Sequence, residues 1–285
     1  MNSIRAAIPS ALAVIGLLAA ALFIPAATPA QTSSENETVN ESSGAKTADP
    51  DDRRFIKIFT YDAAVVENFW IEGQLSFADG QDFGPGGDVD SFRIGPVFAW
   101  SPIDRLEVGA RVDYLDRDIP GGGSNSGLSD TNIYAKWQFF HNPVQFAAGM
   151  ELSLPTGKED DGLGTGEFDV ALFGSVRKNL EQAYITGYFG IRNNQDATIG
   201  GANLDGDTSI FLGGGVMFPI NQVFSLSGEL RVETERYKQA DSFIDLTVGA
   251  FWYTTKKTTL RGGLSLGLED AAPDWELTVG FAWHF

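Results

Sequence analysis

Charged side chains recur on this chain at alternate positions inside short, otherwise apolar runs, and any chemistry has to be sought there. Glu107, Arg111 and Asp113 share one parity, as do Glu229, Arg231 and Glu233. Lys136, Glu151, Asp169, Arg192, Asp245, Arg261 and Glu276 sit in the same way among apolar neighbours, together with Glu72, Arg93 and Arg177. Such a set allows three kinds of chemistry. Two carboxylates can act as acid and base in hydrolysis, but acids are too numerous here for a pair to stand out. Groups of mixed sign can close cross-strand ion pairs, or they can form a charged constriction that selects what passes. Nucleophilic catalysis of the serine–histidine kind needs an imidazole beside the nucleophile, and the only histidines are His141 and His284. Cysteine is absent, which removes disulfides, thiolate catalysis and sulfur-ligated metals. Gly162-Leu163-Gly164-Thr165-Gly166 lacks the spacing, the helix and the lysine of a phosphate loop, and turn formation accounts for its glycines.

Carboxylates also cluster at Glu159-Asp160-Asp161, at Asp205 and Asp207, and between Asp79 and Asp90. Hard oxygen ligands of this kind suit Ca²⁺ or Mg²⁺. None of the clusters fits the twelve-residue calcium loop, and solvated acidic loops are the simpler account. No metal, cofactor or enzymatic activity is therefore predicted. The formal net charge of −18 argues against a nucleic-acid partner, whose phosphates it would repel.

The elements that carry these charges are strands. From Trp275 to the end, Trp275, Leu277, Val279, Phe281, Trp283 and Phe285 make an apolar face, while Glu276, Thr278, Gly280, Ala282 and His284 make a small or polar one. Side chains on a strand alternate between faces, and eleven residues match a tilted strand crossing a bilayer. Twelve segments repeat this pattern, at 66–78, 89–101, 104–115, 129–140, 143–154, 166–178, 182–193, 207–218, 222–234, 242–254, 258–268 and 274–285. The connections alternate as well. Those near Ser101-Pro102-Ile103, His141-Asn142-Pro143, Asn179-Leu180-Glu181, Pro219-Ile220-Asn221 and Thr255-Lys256-Lys257 are short, and most of those between them are long, at 79–88, 116–128, 155–165 and 194–206, with shorter ones at 235–241 and 269–273. Outer-membrane barrels have short periplasmic turns and longer external loops. Trp100, Trp137, Trp252 and Trp283 all fall on the apolar face at the short-turn end, as an interface girdle would. A soluble sandwich, the alternative, has no reason to align them. The expectation is an all-β fold: a single transmembrane antiparallel up-and-down β-barrel of about 12 strands. Phe285 is the expected assembly signal, read by the outer-membrane assembly machinery through the C-terminal strand. The lipid and lipopolysaccharide of the outer membrane are the other expected partners.

Residues 1–30 look like an export signal, with Arg5, an apolar run from Ala11 to Ile24, and the small-residue site Thr28-Pro29-Ala30. A single-pass anchor is the alternative, but the run is short and broken by Pro25. Residues 31–65 read as a disordered periplasmic leader poor in apolar side chains. Phe55 to Tyr61 alternates weakly within it, as a short extra strand or as a segment tucked into the barrel mouth. The barrel itself spans 66–285.

Facing inward, the charges must meet water or one another. A structural ion-pair network and a selective conduit both satisfy that, and twelve strands lie between the packed eight-stranded barrels and the open sixteen-stranded porins. Leu154-Pro155-Thr156-Gly157-Lys158, then Gly164-Thr165-Gly166 with Asp169 on the next strand, and the turn Gly267 to Asp274, resemble the outer-membrane transporter family named for the meta-cleavage pathway of phenol degradation. The resemblance implies an uptake channel for small organic solutes, aromatic or hydrophobic in character. The rival from another class is a non-conducting structural or adhesive barrel that works through its acidic external loops.

Overall fold

A computed structural model describes residues 53–82, 88–119, 123–199, 202–238 and 240–285; the expected export signal and the first part of the leader lie outside the described residues. The strands are β1 (Phe69–Asp82), β2 (Asp88–Ile103), β3 (Leu106–Arg111), β4 (Tyr114–Ile119), β5 (Gly123–Leu128), β6 (Thr131–Phe140), β7 (Gln145–Leu154) and β8 (Asp169–Asn179). They continue as β9 (Tyr184–Asn193), β10 (Ala197–Ile199), β11 (Ala202–Leu204), β12 (Thr208–Pro219), β13 (Phe224–Glu233), β14 (Phe243–Tyr253), β15 (Thr258–Gly267) and β16 (Trp275–His284). β3 with β4, and β5 with β6, each make one interrupted wall strand, so the wall is a closed antiparallel barrel of 12 strands. β1 closes it by pairing on both sides: Leu75 lies opposite Val279 of β16 and opposite Ile94 of β2.

Two connections differ from the expectation. The first short turn is not at 101–103 but at Asp104-Arg105, because β2 runs on to Ile103, which pairs with Leu106 after a register shift beyond Trp100. Arg105 takes a left-handed backbone there, with φ of 68°. The connection expected at 116–128 is mostly ladder, with Tyr114 opposite Leu128 and Ile119 opposite Gly123, so only 120–122 join the strands. The loop between β9 and β12 likewise carries its own small hairpin, β10–β11.

Burial alternates with strand period. On β16, Leu277, Val279, Phe281 and Trp283 are exposed, while Thr278, Ala282 and His284 are buried. Trp100, Trp137, Trp252 and Trp283 are all exposed and pair close to the short turns. An outward apolar face of this kind is the face a transmembrane barrel gives to lipid, with aromatic residues where hydrocarbon meets water.

The interior is filled from the chain itself. Residues 53–66 enter at the short-turn end, climb to about mid-height, turn through Ile58 and Tyr61, and return to meet β1. Phe55, Ile56 and Ile58 join Phe173, Tyr188, Phe211 and Phe251 in one buried cluster, and Phe59 and Val66 join Trp70 and Tyr134 in another. Residues 53–66 lie inside the wall and form no strand, and the rest of the expected leader lies outside the described residues. Burial of Phe55, Ile56, Ile58 and Phe59 inside the wall offsets part of the entropy lost in ordering the segment.

Candidate functional site: the filled barrel interior

A chain segment inside a barrel must satisfy its backbone without a neighbouring strand, and wall side chains supply the partners. On β13, the Glu229 carboxylate accepts the amides of Ile56 (3.0 Å), Lys57 (2.8 Å) and Ile58 (3.2 Å), and the Ser227 hydroxyl at 3.1 Å. On β15, Arg261 donates to the carbonyls of Arg54 (3.3 Å) and Phe55 (3.1 Å) while it holds Glu72 of β1 through both Nε and Nη2. Lys136 of β6 donates to the carbonyls of Asp62 (2.7 Å) and Ala64 (2.8 Å), and Gln138 to that of Ala63 (3.0 Å). Arg177 of β8 reaches the Arg53 carbonyl at 3.0 Å and the Asp62 carboxylate at 2.5 Å. Charge-assisted bonds of this kind are the stronger class.

Glu107 of β3 anchors the return limb. Its carboxylate accepts from Arg54 (2.9 Å), the Tyr134 hydroxyl (2.7 Å) and the Val66 amide (2.6 Å), and it lies 3.1 Å from the Lys136 ammonium. Glu107 and both cations are fully buried. Removing one member would leave charge without its partner, the costly way to break such a network.

The apex has its own contacts. The Lys57 ammonium meets Glu276 at 2.6 Å and the Thr278 hydroxyl at 2.7 Å. The Tyr61 hydroxyl accepts from Arg192 at 2.8 Å and lies 3.2 Å from both oxygens of Glu151. Arg192 also contacts Glu151 (3.1 Å) and Glu233 (3.2 Å), and Glu233 holds Arg236 at 2.5 Å. Above the apex, toward the long loops, lies a cavity of about 290 Å³ lined by Tyr61, Arg93, Tyr188, Arg231, Phe243 and Glu276, among others.

The sequence-derived inward set therefore falls into two groups, with Asp169 outside both. Glu107, Lys136, Glu151, Arg192, Glu229, Arg261 and Glu276 contact residues 54–64 directly. Arg111 with Asp113 (2.6 Å) and Arg231 with Asp245 (2.9 and 2.5 Å) pair along the wall instead. Asp169 accepts the Gln195 amide at 2.8 Å and borders a smaller cavity with Glu151, Arg192 and Arg236. Arg53, Arg54, Lys57, Tyr61 and Asp62 were not singled out in the sequence. The signal that points to them is a run of cations beside apolar residues just before an inward-acidic barrel.

Both histidines lie at the short-turn end. His141 Nδ1 is 3.0 Å from the Gln138 side chain, and the His284 ring stacks on Trp70 with centroids 5.3 Å apart. The loop motifs turn out to build turns. Asp130, in the break between β5 and β6, accepts the amides of Gly157 (2.9 Å) and Thr165 (2.8 Å), and so holds both ends of the β7–β8 loop. A side chain at Gly164 would strike the Asp130 carboxylate, its Cβ falling 2.2 Å from an oxygen. Within that loop Asp161 holds Lys158 at 2.7 Å and pushes its ammonium above the ordinary lysine value. In the connection between β15 and β16, the Gly267 amide donates to the Asp274 carbonyl at 3.2 Å.

The chain matches no family model and no curated protein. Among solved structures it is similar to an outer membrane channel from Pseudomonas putida F1, at 17% identity over 81% of this chain and 100% of that one, with a TM-score of 0.67. It is also similar to the NanC porin, at 8% identity over 75% of this chain and 98% of that one with a TM-score of 0.51. For the KdgM porin the figures are 11%, 76%, 99% and 0.50. At such identities the likeness is one of fold: the chain folds as outer-membrane β-barrels do.

Proposed function

We propose that this protein is an outer-membrane passage for small organic solutes, closed at mid-height by residues 53–66. One observation carries the reading. The filling segment enters and leaves at the same end, and side-chain hydrogen bonds and apolar contacts hold it beneath a solute-sized cavity. Each of those bonds has a water-made equivalent, so the segment can withdraw without breaking a wall strand. The short-turn end is then periplasmic, the long loops face outward, and Phe285 closes the lipid-facing row read by the assembly machinery. The Pseudomonas protein is described as a channel, and the Leu154-to-Asp169 pattern resembles the phenol meta-cleavage family; both support transport. Those motifs shape loops, so they support the family and leave the solute open.

The density of the polar contacts also suits the second reading, a permanently filled structural barrel. Planar-bilayer conductance separates the two. Refolded native protein should give rare or small openings, and a variant lacking 53–66 should give large steady steps. Silence from both, with the barrel folded, would overturn the passage.

A further inference from the structure

Of the four described arginines that line the outward cavity, Arg93 alone has no acid closer than 3.9 Å. Arg93 on β2 and Arg231 on β13 enter it from wall strands separated by β1, β16, β15 and β14. Arg231 is held by Asp245 through two bonds (2.9 and 2.5 Å), Lys57 by Glu276 (2.6 Å) and Arg111 by Asp113 (2.6 Å). Each of these three acids is thereby committed. The ion contact left to Arg93 is with Asp113 at 3.9 Å, and its side chain is 41% exposed. The other charges near Arg93 are Arg111, Arg231 and Glu276. Glu233 is held by Arg192 and Arg236, and the further acids of the lining, Asp82 and Asp241, stand at the long-loop rim.

Aromatic rings line the same cavity, among them Tyr61, Tyr188, Phe211 and Phe243. The Arg231 guanidinium lies 5.0 Å from the Phe243 ring centroid, and Tyr61 stacks on Tyr188 at 4.9 Å. A cavity of about 290 Å³ stands at the small end of the range of ligand pockets, which suits a small solute.

We infer that this cavity binds a small aromatic carboxylate, its carboxylate on Arg93 and its ring against the Phe243 and Tyr188 side. A guanidinium presents two parallel N–H donors that match a carboxylate's two oxygens. Rings already placed against guanidinium and phenol groups accept a further planar face. At the rim Asp241 is exposed and Asp82 partly so, and charges reaching water are screened within about 8 Å at physiological salt, so they slow entry more than they weaken binding at the floor. The inference names a solute class for the passage proposed above and rests on that reading for its role, but not for binding itself.

The test is equilibrium binding by calorimetry to the full-length barrel in nanodiscs, with benzoate, benzamide and benzylammonium as probes. Benzoate should bind saturably and at least about tenfold more tightly than benzamide, the size of one lost charge-assisted hydrogen bond. Benzylammonium should show no saturable binding. Arg93→Gln should bring benzoate to the level of benzamide, and Arg93→Lys should keep part of the preference. Ser91→Asp, which sets an acid beside Arg93 on the same face of β2, should abolish the preference with the arginine in place and serves where Arg93→Gln fails to fold. Equal binding of benzoate and benzamide, no saturable benzoate binding, or a preference that survives both variants overturns the site. Intact binding in a barrel that never conducts would sink the passage alone, and conduction without benzoate binding would sink the site alone.

Discussion

Lys57 meets Glu229 through its backbone and not through its charge: the Lys57 amide donates to the Glu229 carboxylate at 2.8 Å, while the ammonium goes to Glu276. One wall carboxylate thus receives three successive amides, where a partner strand would take only alternate ones, and the ammonium pins the apex to β16, three strands away along the wall. Glu229→Gln keeps the shape but removes the charge and replaces one acceptor oxygen with a donor. Docking of the segment should weaken by about 2 kcal/mol, the scale of a hydrogen bond to a charged group. Arg53, Arg54 and Lys57 make trypsin a direct reporter of release. The variant should be cut there markedly faster than the native barrel and should open more often in bilayers. Unchanged cleavage would mean that Glu229 does not hold the segment.

Small residues make room for the same segment. A Cβ at Gly215 would lie 2.7 Å from the Phe55 ring, whereas one at Gly228, on the outward face of β13, meets nothing within 4 Å. Gly215→Val should therefore raise trypsin sensitivity and conductance, and Gly228→Val should leave both near native. Equal effects from the two would assign the change to the wall and not to its filling.

How much of this was legible follows from where each contact lies along the chain. The wall is a local pattern: the alternation of Leu277, Thr278 and Val279 is visible in three residues, and twelve repeats of it set strand number and closure. The filling is not local. Arg54 finds Glu107 across 53 residues, and Ile56 finds Glu229 across 173. The weak alternation from Phe55 to Tyr61 allows a segment tucked into the barrel mouth but names none of its partners, and its polar neighbours upstream mask its apolar side chains. The hairpin of β4 and β5 was hidden for another reason, since Gly123 to Leu128 has turn-like composition while its pairing comes from β4. The Leu154-to-Gly166 pattern was visible as a motif, yet its cause, Asp130, lies on the preceding wall strand and emerges only from contacts.

Orientation follows from the unequal ends and can be tested cleanly, because the chain has no cysteine. A cysteine at Asn203, on β11 among the long loops, should react with an impermeant thiol reagent on intact cells. One at Asn221, in the short turn before β13, should react only after the outer membrane is breached. Labelling confined to the second position would invert the barrel.

Asp130 organises the β7–β8 loop from outside the apolar belt. Asp130→Ala removes the acceptor for the Gly157 and Thr165 amides. These donors are part-buried, so leaving each unsatisfied costs at most about 1–3 kcal/mol, which is enough to melt a loop but not a twelve-stranded wall. Proteolysis between 155 and 168 should accelerate, while the folded barrel keeps its heat-modifiable mobility. Loss of the barrel itself would show that the loop is needed for assembly.

Val279 and Thr278 are chain neighbours on β16 with opposite surroundings, and the pair tests the claim that the wall divides lipid from a filled interior. Val279 is 36% exposed among outward apolar residues, and Thr278 is 1% exposed, its hydroxyl 2.7 Å from Lys57 and 3.0 Å from Ser76. Arginine at an outward midplane position should cost about 2–4 kcal/mol in a bilayer. Arginine at Thr278 is not simply a charge placed in water, because it would stand beside the Lys57 ammonium and compete with it for Glu276. The wall can keep its ladder while the apex is driven off. Unfolding titrations in lipid vesicles should therefore show Val279→Arg as the more damaging to the barrel, and trypsin should show Thr278→Arg as the more damaging to the docked segment. The reverse assignment would place Val279 inside. If neither variant changed vesicle stability, β16 would not lie in hydrocarbon.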